Sequence, residues 1–138
     1  MKIGFACGVF DLFHAGHVLM LKECRANCDH LIVALNRGEN ISGEINPDKE
    51  APVFSLEERQ LIMNACRYVD EVLIYNSEEE LLKILREKKP SVRFLGEDYR
   101  DKKITGAELK IPIYYTNRSH GLSATGMKER IRNSTRKQ

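Results

Sequence analysis

Short apolar runs alternate with amphipathic stretches along most of the 138 residues. Five runs have the length and composition of strands: 2–7, 30–36, 69–75, 92–96 and 111–116. Helices are expected at about 16–28, after Ser55, after Ser77 and from about Ser123. Such alternation predicts an α/β fold, a doubly wound, Rossmann-like domain with a mainly parallel five-stranded sheet.

Two helix starts carry the same local signal. Ser55 is followed three residues later by Glu58, and Ser77 by Glu80, which is the spacing of a capping box. Pro90 ends the second of these helices. The polar connection 37–54 is longer than most connections inside a domain, so we interpret it as a binding loop.

Composition limits the classes of function. We expect one domain over 1–138, and a net charge of +2 with 7% aromatic residues does not favour nucleic acid as a partner. The sequence has neither a membrane-spanning apolar run of about 20 residues nor a signal-peptide pattern, so no membrane partner and a cytoplasmic location are expected.

The four cysteines are then expected to be reduced thiols. Cys24, Cys28 and His30 have a spacing that a metal site can use. An i, i+4 cysteine pair on one helix face is more often core packing, which is the interpretation we favour.

The stretch GVFDLFHAGH, residues 8–17, follows the first strand and enters the first helix. Gly8 permits a tight turn, and His14 and His17 are three residues apart, on one side of a helical turn, with Gly16 between them. In a parallel sheet, ligands bind beyond the carboxyl ends of the strands, and a helix N-terminus favours an anion. The pattern predicts a polyphosphate site, although one histidine as a cap and the other in the core is the structural alternative.

These residues resemble the signature G-x-F-D-x-x-H-x-G-H of the HxGH nucleotidyltransferases, in their cytidylyltransferase-like branch. RYVDEV (67–72), GED (96–98) and RSHGLSATGMKERI (118–131) are similar, in order, to segments of glycerol-3-phosphate cytidylyltransferases and their relatives. The resemblance implies transfer of CMP from CTP, with Mg²⁺, to a small phosphorylated alcohol, glycerol 3-phosphate first, with release of pyrophosphate. It also implies a homodimer.

The resemblance implies roles for individual residues as well. His14 and His17 would stabilise the transition state at the triphosphate, with Arg118 and Lys49 as further catalytic cations. The nucleotide would be bound by Gly8, Val9, Phe10, His14, His17, Arg67, Asp70, Asp98, Arg118, Ser119, Ser123 and Thr125. Asp11 and Arg59 would bind the acceptor, and no residue is expected to form a dedicated metal site.

Several of these residues have simpler alternatives. Ser123 alone fits a plain N-cap, Lys49 a solvated loop residue, and Arg67 with Asp70 an ion pair that joins helix to strand. The basic residues of the last helix and tail have the default interpretation of a solvated face; they are Lys128, Arg130, Arg132, Arg136 and Lys137.

Two departures from the cytidylyltransferase pattern keep other functions open. APVFSLEER and GEDYRDKKITGAE resemble ADP-heptose-forming adenylyltransferases, which use ATP and a sugar phosphate; a flavin-type phosphate is a further acceptor. Ala124 stands where the family usually has threonine, and the loop has few lysines. Ala124 and the lysine-poor loop support a nucleotide-binding module without turnover as the alternative to an enzyme.

Overall fold

The computed structural model describes residues 1–38, 51–117 and 121–136. The strands are β1 Ile3–Gly8, β2 His30–Asn36, β3 Glu71–Tyr75, β4 Val92–Gly96 and β5 Ile113–Thr116. The helices are α1 Ala15–Ala26, α2 Leu56–Ala65, α3 Glu78–Lys88 and α4 Ala124–Arg136, with short 3-10 turns at Glu97–Tyr99 and Ala107–Leu109. The predicted alternation is confirmed, with boundaries shifted by one or two residues.

The five strands form one sheet in the order β3-β2-β1-β4-β5, and all neighbours are parallel. The chain moves from β1 outward through β2 to β3 and then returns to the other side of β1 for β4. This reversal places the switch in strand order between β1 and β4. In a doubly wound sheet the ligand crevice lies at that point, outside the carboxyl ends of the strands.

Each face of the sheet has its own core. One face packs against α1 and α2 through residues such as Leu21, Cys24 and Met63. The other face packs against α3 through Phe5, Ile32, Ala34, Tyr75, Leu81 and Leu85. The predicted fold class, a Rossmann-like domain with helices on both faces, is therefore correct.

Only one of the two predicted capping boxes is complete. Ser55 Oγ accepts from the Glu58 backbone N–H, and the Glu58 carboxylate accepts from the Ser55 N–H. Ser77 Oγ accepts from the Glu80 N–H in the same way, but the Glu80 carboxylate accepts from the backbone N–H of Asn76 instead. Asn76 offers an amide group as well, and its side chain supplies a second bond to Glu80.

All four cysteines are free thiols, as expected. Cys24 and Cys28 are buried, and the Cys28 thiol donates to the Cys24 carbonyl, so the pair is core packing. Within the described ranges, no group of three or more His, Cys, Asp or Glu side chains is arranged to hold a metal ion. The helices of these ranges also include none long and apolar enough to span a membrane.

Candidate active site

A cavity of about 950 Å³ opens at the carboxyl edge of the sheet, at the switch in strand order. Eight of the residues predicted for the site line it: Gly8, Val9, Phe10, Asp11, His14, His17, Ser123 and Thr125. They come from the turn after β1, the first turns of α1 and the start of α4. Two helix N-termini thus open onto one cavity, which favours an anionic ligand.

The turn after β1 has an uncommon backbone. Phe10 and Leu12 adopt positive φ angles of 54° and 48°, in the left-handed region that non-glycine residues seldom occupy. Between them, the Asp11 carboxylate accepts from the backbone N–H groups of Val53 at 2.8 Å and Phe54 at 2.9 Å. Asp11 lines the cavity, but its two oxygens fix the segment before α2 against the turn. Such strain, about 1–3 kcal/mol per residue, is typical of functional sites.

The two histidines form a reciprocal cap at the start of α1. His14 is the N-cap residue, and its Nδ1 accepts from the Gly16 N–H at 3.0 Å. His17 Nδ1 accepts from the His14 N–H at 3.2 Å, and the two rings stack with centroids 4.0 Å apart. A ring nitrogen that accepts from a backbone N–H carries no proton. The proton of each neutral imidazole is therefore on Nε2, which makes Nε2 the hydrogen-bond donor of both rings.

Gly16 is required by this packing. A Cβ at residue 16 would lie 2.7 Å from the His14 ring carbon Cε1 and 2.9 Å from the Cβ of Leu122, which precedes α4. Real Cβ contacts are not this short. The glycine therefore allows the imidazole of His14 and the approach to α4 to meet over the first turn of α1.

Helix α4 supplies both an N-cap residue and cations to the cavity. Ser123 Oγ accepts from the Gly126 N–H at 3.0 Å, so Ser123 is an N-cap residue that also lines the cavity. Lys128 and Arg132, one turn apart, line the cavity as well. The sequence suggested a solvated face for this cluster. The available signal was their i, i+4 spacing, which places both side chains on one face of α4.

Arg59 does not line the cavity, contrary to its predicted contact with the acceptor phosphate. It is only 2% exposed. Its guanidinium donates to the carbonyls of Val9 at 3.1 Å, Asn36 at 2.7 Å and Arg37 at 2.7 Å, and its Nε donates to the carbonyl of Phe54. Arg59 thereby joins the ends of β1 and β2 to the segment before α2.

Arg67 and Asp70 lie at the opposite, amino edge of the sheet, because they precede β3 rather than follow it. Asp70 pairs with Arg25 of α1 at 2.9 Å and accepts from the Leu31 N–H at 2.8 Å. Asp70 therefore joins α1 to the sheet through Arg25, and not through Arg67 as the alternative interpretation had it. The structure does not bring Arg67 and Asp70 to the cavity.

The remaining predicted residues are placed as follows. Asp98 lies in the 3-10 turn after β4, where its neighbours Gly96 and Tyr99 line the cavity and Asp98 does not. Lys49, Arg118 and Ser119 lie outside the described residues. Their predicted roles in phosphate binding stay predictions.

On the α3 side, the cavity has a polar group that sequence reasoning missed. Cys7, Tyr75, Glu78 and Arg93 line it there, with Lys103 and Thr105 from the connection to β5. Desolvation raises the pKa of the Cys7 thiol, an effect that the Arg93 guanidinium opposes, and burial also raises the pKa of Tyr75. Both groups are therefore neutral. The available signal for Arg93 was a single charge inside the apolar strand VRFLG.

Known proteins resemble this chain in both sequence and fold. The family model described as Cytidylyltransferase-like matches residues 5–134. The "Bifunctional protein HldE" of Gluconacetobacter diazotrophicus is 38% identical over 109 residues, which are 79% of this chain and 22% of that protein. Its namesake from Campylobacter concisus is 31% identical over 136 residues, 96% of this chain and 28% of that protein. The chain thus spans about a quarter of the length of these relatives.

A solved structure has a similar fold. The lipopolysaccharide core biosynthesis protein of Thermoplasma volcanium GSS1 superposes with a TM-score of 0.65 at 26% identity, covering 83% of this chain and 93% of that one. Its near-complete coverage shows the same single-domain architecture. With the histidine turn, the strand order and the match over residues 5–134, the chain belongs to the cytidylyltransferase-like family of nucleotidyltransferases.

Proposed function

We propose that this domain transfers AMP from ATP to the phosphate of a sugar phosphate and releases pyrophosphate. The observation that carries the proposal is the pair of stacked imidazoles, each with its Nε2–H as donor, at a helix N-terminus inside a cavity of about 950 Å³. Both rings are fixed by hydrogen bonds that backbone N–H groups donate to Nδ1 before any ligand arrives. Preorganised donors of this kind stabilise charge that develops in a transition state.

The reaction needs no side-chain nucleophile. An oxygen of the acceptor phosphate supplies the electron pair that forms a bond to the α-phosphorus, and the bond from that phosphorus to the bridging oxygen breaks. Pyrophosphate leaves with the electron pair of the broken bond. His14, His17 and the N-termini of α1 and α4 would stabilise the negative charge on the phosphates, and the enzyme contributes mainly positioning and electrostatics.

ATP and a sugar phosphate are preferred to CTP and glycerol 3-phosphate for three reasons. APVFSLEER and GEDYRDKKITGAE resemble ADP-heptose-forming adenylyltransferases, and the second segment contributes Tyr99, Lys103 and Thr105 to the cavity. The solved structure that superposes over most of the chain is that of a lipopolysaccharide core biosynthesis protein, and lipopolysaccharide contains a chain of sugars. Arg67 and Asp70, which the resemblance to cytidylyltransferases assigned to the nucleotide site, lie at the amino edge of the sheet and do not line the cavity.

Mg²⁺ is proposed as an ion that arrives with the nucleotide. Mg²⁺ commonly keeps several waters and is held by substrate phosphates with one or two carboxylates, so it does not need a cage of protein ligands. The described residues offer no such cage, and the Asp11 carboxylate already binds two backbone N–H groups. The ion would neutralise part of the triphosphate charge.

The test is pyrophosphate release with Mg²⁺, in which ATP and CTP are each combined with heptose 1-phosphate, glycerol 3-phosphate, phosphocholine and FMN. We expect turnover with ATP and the sugar phosphate. Turnover with CTP and glycerol 3-phosphate alone would contradict the proposal and support the cytidylyl alternative. ATP binding by calorimetry without turnover on any acceptor would support the non-catalytic module, for which Ala124 is the supporting observation.

A further inference from the structure

Arg93 is a buried cation whose surroundings do not fully satisfy it. The residue is 3% exposed, and its guanidinium donates to the carbonyl of Thr105 and interacts with the Cys7 thiol. Its Nε is buried without a hydrogen-bond partner, and within the described ranges no carboxylate pairs with it. Burying an incompletely bonded charge costs stability, so the position calls for a reason other than folding.

Arg93 stands at the junction of two cavities. It lies in register with Phe5 on the α3 face of the sheet, whereas α1, which carries the two histidines, packs on the other face. Besides the cavity of about 950 Å³, Arg93 lines a second hollow of about 640 Å³ beside β4 and β5. Lys103 lines both as well, so the two cavities share two cations.

The second hollow is strongly basic. Its lining includes five cations and, among the described residues, no acidic side chain; the cations are Arg93, Arg100, Lys102, Lys103 and Lys110. Arg100 is neutralised by Glu97 at 2.8 Å and lies 4.2 Å from the centre of the Tyr115 ring. Arg93 and Lys103 have no such ion pair in the part of the chain that the structure describes. A neutral nucleobase does not suit this lining, whereas an anion does.

We propose that Arg93 and Lys103 bind the phosphate monoester of the acceptor, at a site separate from the triphosphate site of His14 and His17. The inference rests on the proposed function. Nucleotidyl transfer brings two anionic groups together, the triphosphate and the acceptor phosphate. The histidine side of the cavity has donors for the first, and the Arg93 side has donors for the second. The planar Arg93 guanidinium, which lines both cavities, is suited to a pair of phosphate oxygens.

The experiment measures binding without turnover. Inorganic phosphate and glucose 1-phosphate are titrated by calorimetry into the wild-type chain, Arg93→Met, Lys103→Gln and the control Arg86→Met. Arg86 is exposed on α3 and lines neither cavity. Each titration is repeated with a saturating ATP analogue whose α–β bridge is methylene, so that the triphosphate site is occupied. ATP affinity is measured for every variant.

We expect Arg93→Met to weaken both phosphate probes tenfold or more, and Lys103→Gln to weaken them severalfold, with Arg86→Met and all ATP affinities unchanged. In turnover assays the KM for the acceptor should rise with the KM for ATP constant. Phosphate binding that survives Arg93→Met, wild-type protein that binds neither probe, or equal losses of phosphate and ATP affinity would each overturn the proposal. Failure of the proposed function is recognised separately, as absence of ATP binding or of pyrophosphate release.

Thermal unfolding separates the proposed binding role of Arg93 from a purely structural one. Met in place of a buried, partly unbonded guanidinium should leave the Tm unchanged or raise it, and added phosphate should raise the Tm of the wild type but not of Arg93→Met. A lower Tm for Arg93→Met with unchanged phosphate affinity would overturn the proposal. Lys103 is exposed, so Lys103→Gln tests the site without disturbing the fold.

Discussion

Two buried arginines, Arg59 and Arg93, are equally hidden from solvent, at 2% and 3% exposure, yet their surroundings differ. Arg59 donates to four backbone carbonyls at the ends of β1 and β2 and before α2. Arg93 donates to one carbonyl and interacts with the Cys7 thiol, and its Nε has no hydrogen-bond partner among the described residues. The region around Arg59 uses the cation to complete the fold, whereas the region around Arg93 keeps hydrogen-bonding capacity beside a cavity.

The difference separates two reasons for burying charge. A desolvated guanidinium is tolerated when its N–H groups find acceptors, and Arg59 has four backbone carbonyls as acceptors. At Arg93 the protein bears a cost that its own structure does not offset. Residues at a functional site commonly reduce stability in this way, and the ligand supplies the missing contact.

The largest effect that we expect in a test of this comparison is that of Arg59→Met. The substitution leaves carbonyls of Val9, Asn36 and Arg37 without their donor, so the free energy of unfolding should fall by about 3 kcal/mol or more. Urea denaturation measures it, with Arg93→Met as the matched control. We expect Arg93→Met to remain within about 1 kcal/mol of the wild type or to exceed it. Equal losses for the two variants would remove the distinction.

His14 combines both roles in one ring, and substitution can separate them. Asparagine has an oxygen near the position of Nδ1 and is a good N-cap residue, so His14→Asn should keep the bond from the Gly16 N–H but lose the Nε2 donor. We expect pyrophosphate release to fall about 10²-fold, or about 2.7 kcal/mol, with little change in stability. His14→Ala loses the cap too and should cost about 1 kcal/mol of stability in addition.

The turnover of His14→Asn decides the assignment. A rate within a few-fold of the wild type would show that the ring serves only as a helix cap. An unfolded His14→Asn protein would contradict the equivalence of the two caps, and His17→Asn then provides the same test, because His17 Nδ1 accepts from the His14 N–H.

The histidine turn was predictable because its signal is local. GVFDLFHAGH contains the glycine, the histidine spacing and the strand-to-helix position within ten residues, and all of these lie where the fold places a ligand. Arg67 and Asp70 were carried over from a family resemblance, although their position before β3 already conflicts with binding at the carboxyl ends. At this segment the positional rule and the family resemblance disagree, and the nucleotide-binding roles of Arg67 and Asp70 stay predictions.

Arg93 and the second half of the Ser77 box were not predictable in the same way. The role of Arg93 depends on neighbours far along the chain, and that of Glu80 depends on a choice between local amide donors. VRFLG predicts a strand, but which cavity its arginine faces follows only from the strand order. The Glu80 carboxylate has two amide donors within reach at Asn76, and tertiary packing selects them over Ser77.

Gly16→Ala tests how closely the two sides of the histidine turn must approach. Alanine is better than glycine in a helix by about 1 kcal/mol, so propensity alone predicts a more stable protein. The Cβ contacts at 2.7 Å and 2.9 Å predict the opposite, a loss of about 1–2 kcal/mol and a shift of the His14 ring. Thermal unfolding and pyrophosphate release measure the two effects. A more stable and fully active Gly16→Ala would show that the approach to α4 can move away without consequence.

The smallest expected effect is at the amino edge, where the charges satisfy one another. The hydrogen bond from Lys88 at 2.7 Å, with a further contribution from His30, holds the pKa of Glu71 below its usual value. A carboxyl with a lowered folded-state pKa stabilises the protein above the unfolded value of 4.5, and this contribution is lost as the pH falls through the folded pKa. Glu71→Gln should therefore cost less than about 1 kcal/mol at pH 7, because the pair is partly exposed, and should flatten the acid side of the stability curve.

Glu108→Gln, an exposed carboxyl in the turn before β5, is the matched control and should leave that curve unchanged. A Glu71→Gln curve parallel to the wild type would contradict the assignment. The outcome also bears on Arg93. If a carboxylate paired with Lys88 contributes so little, the fold gains little by pairing a charge once it is near water. Arg93 is away from water and beside two cavities, and among the described residues it has no carboxylate partner; the proposed phosphate ligand would supply that counter-ion.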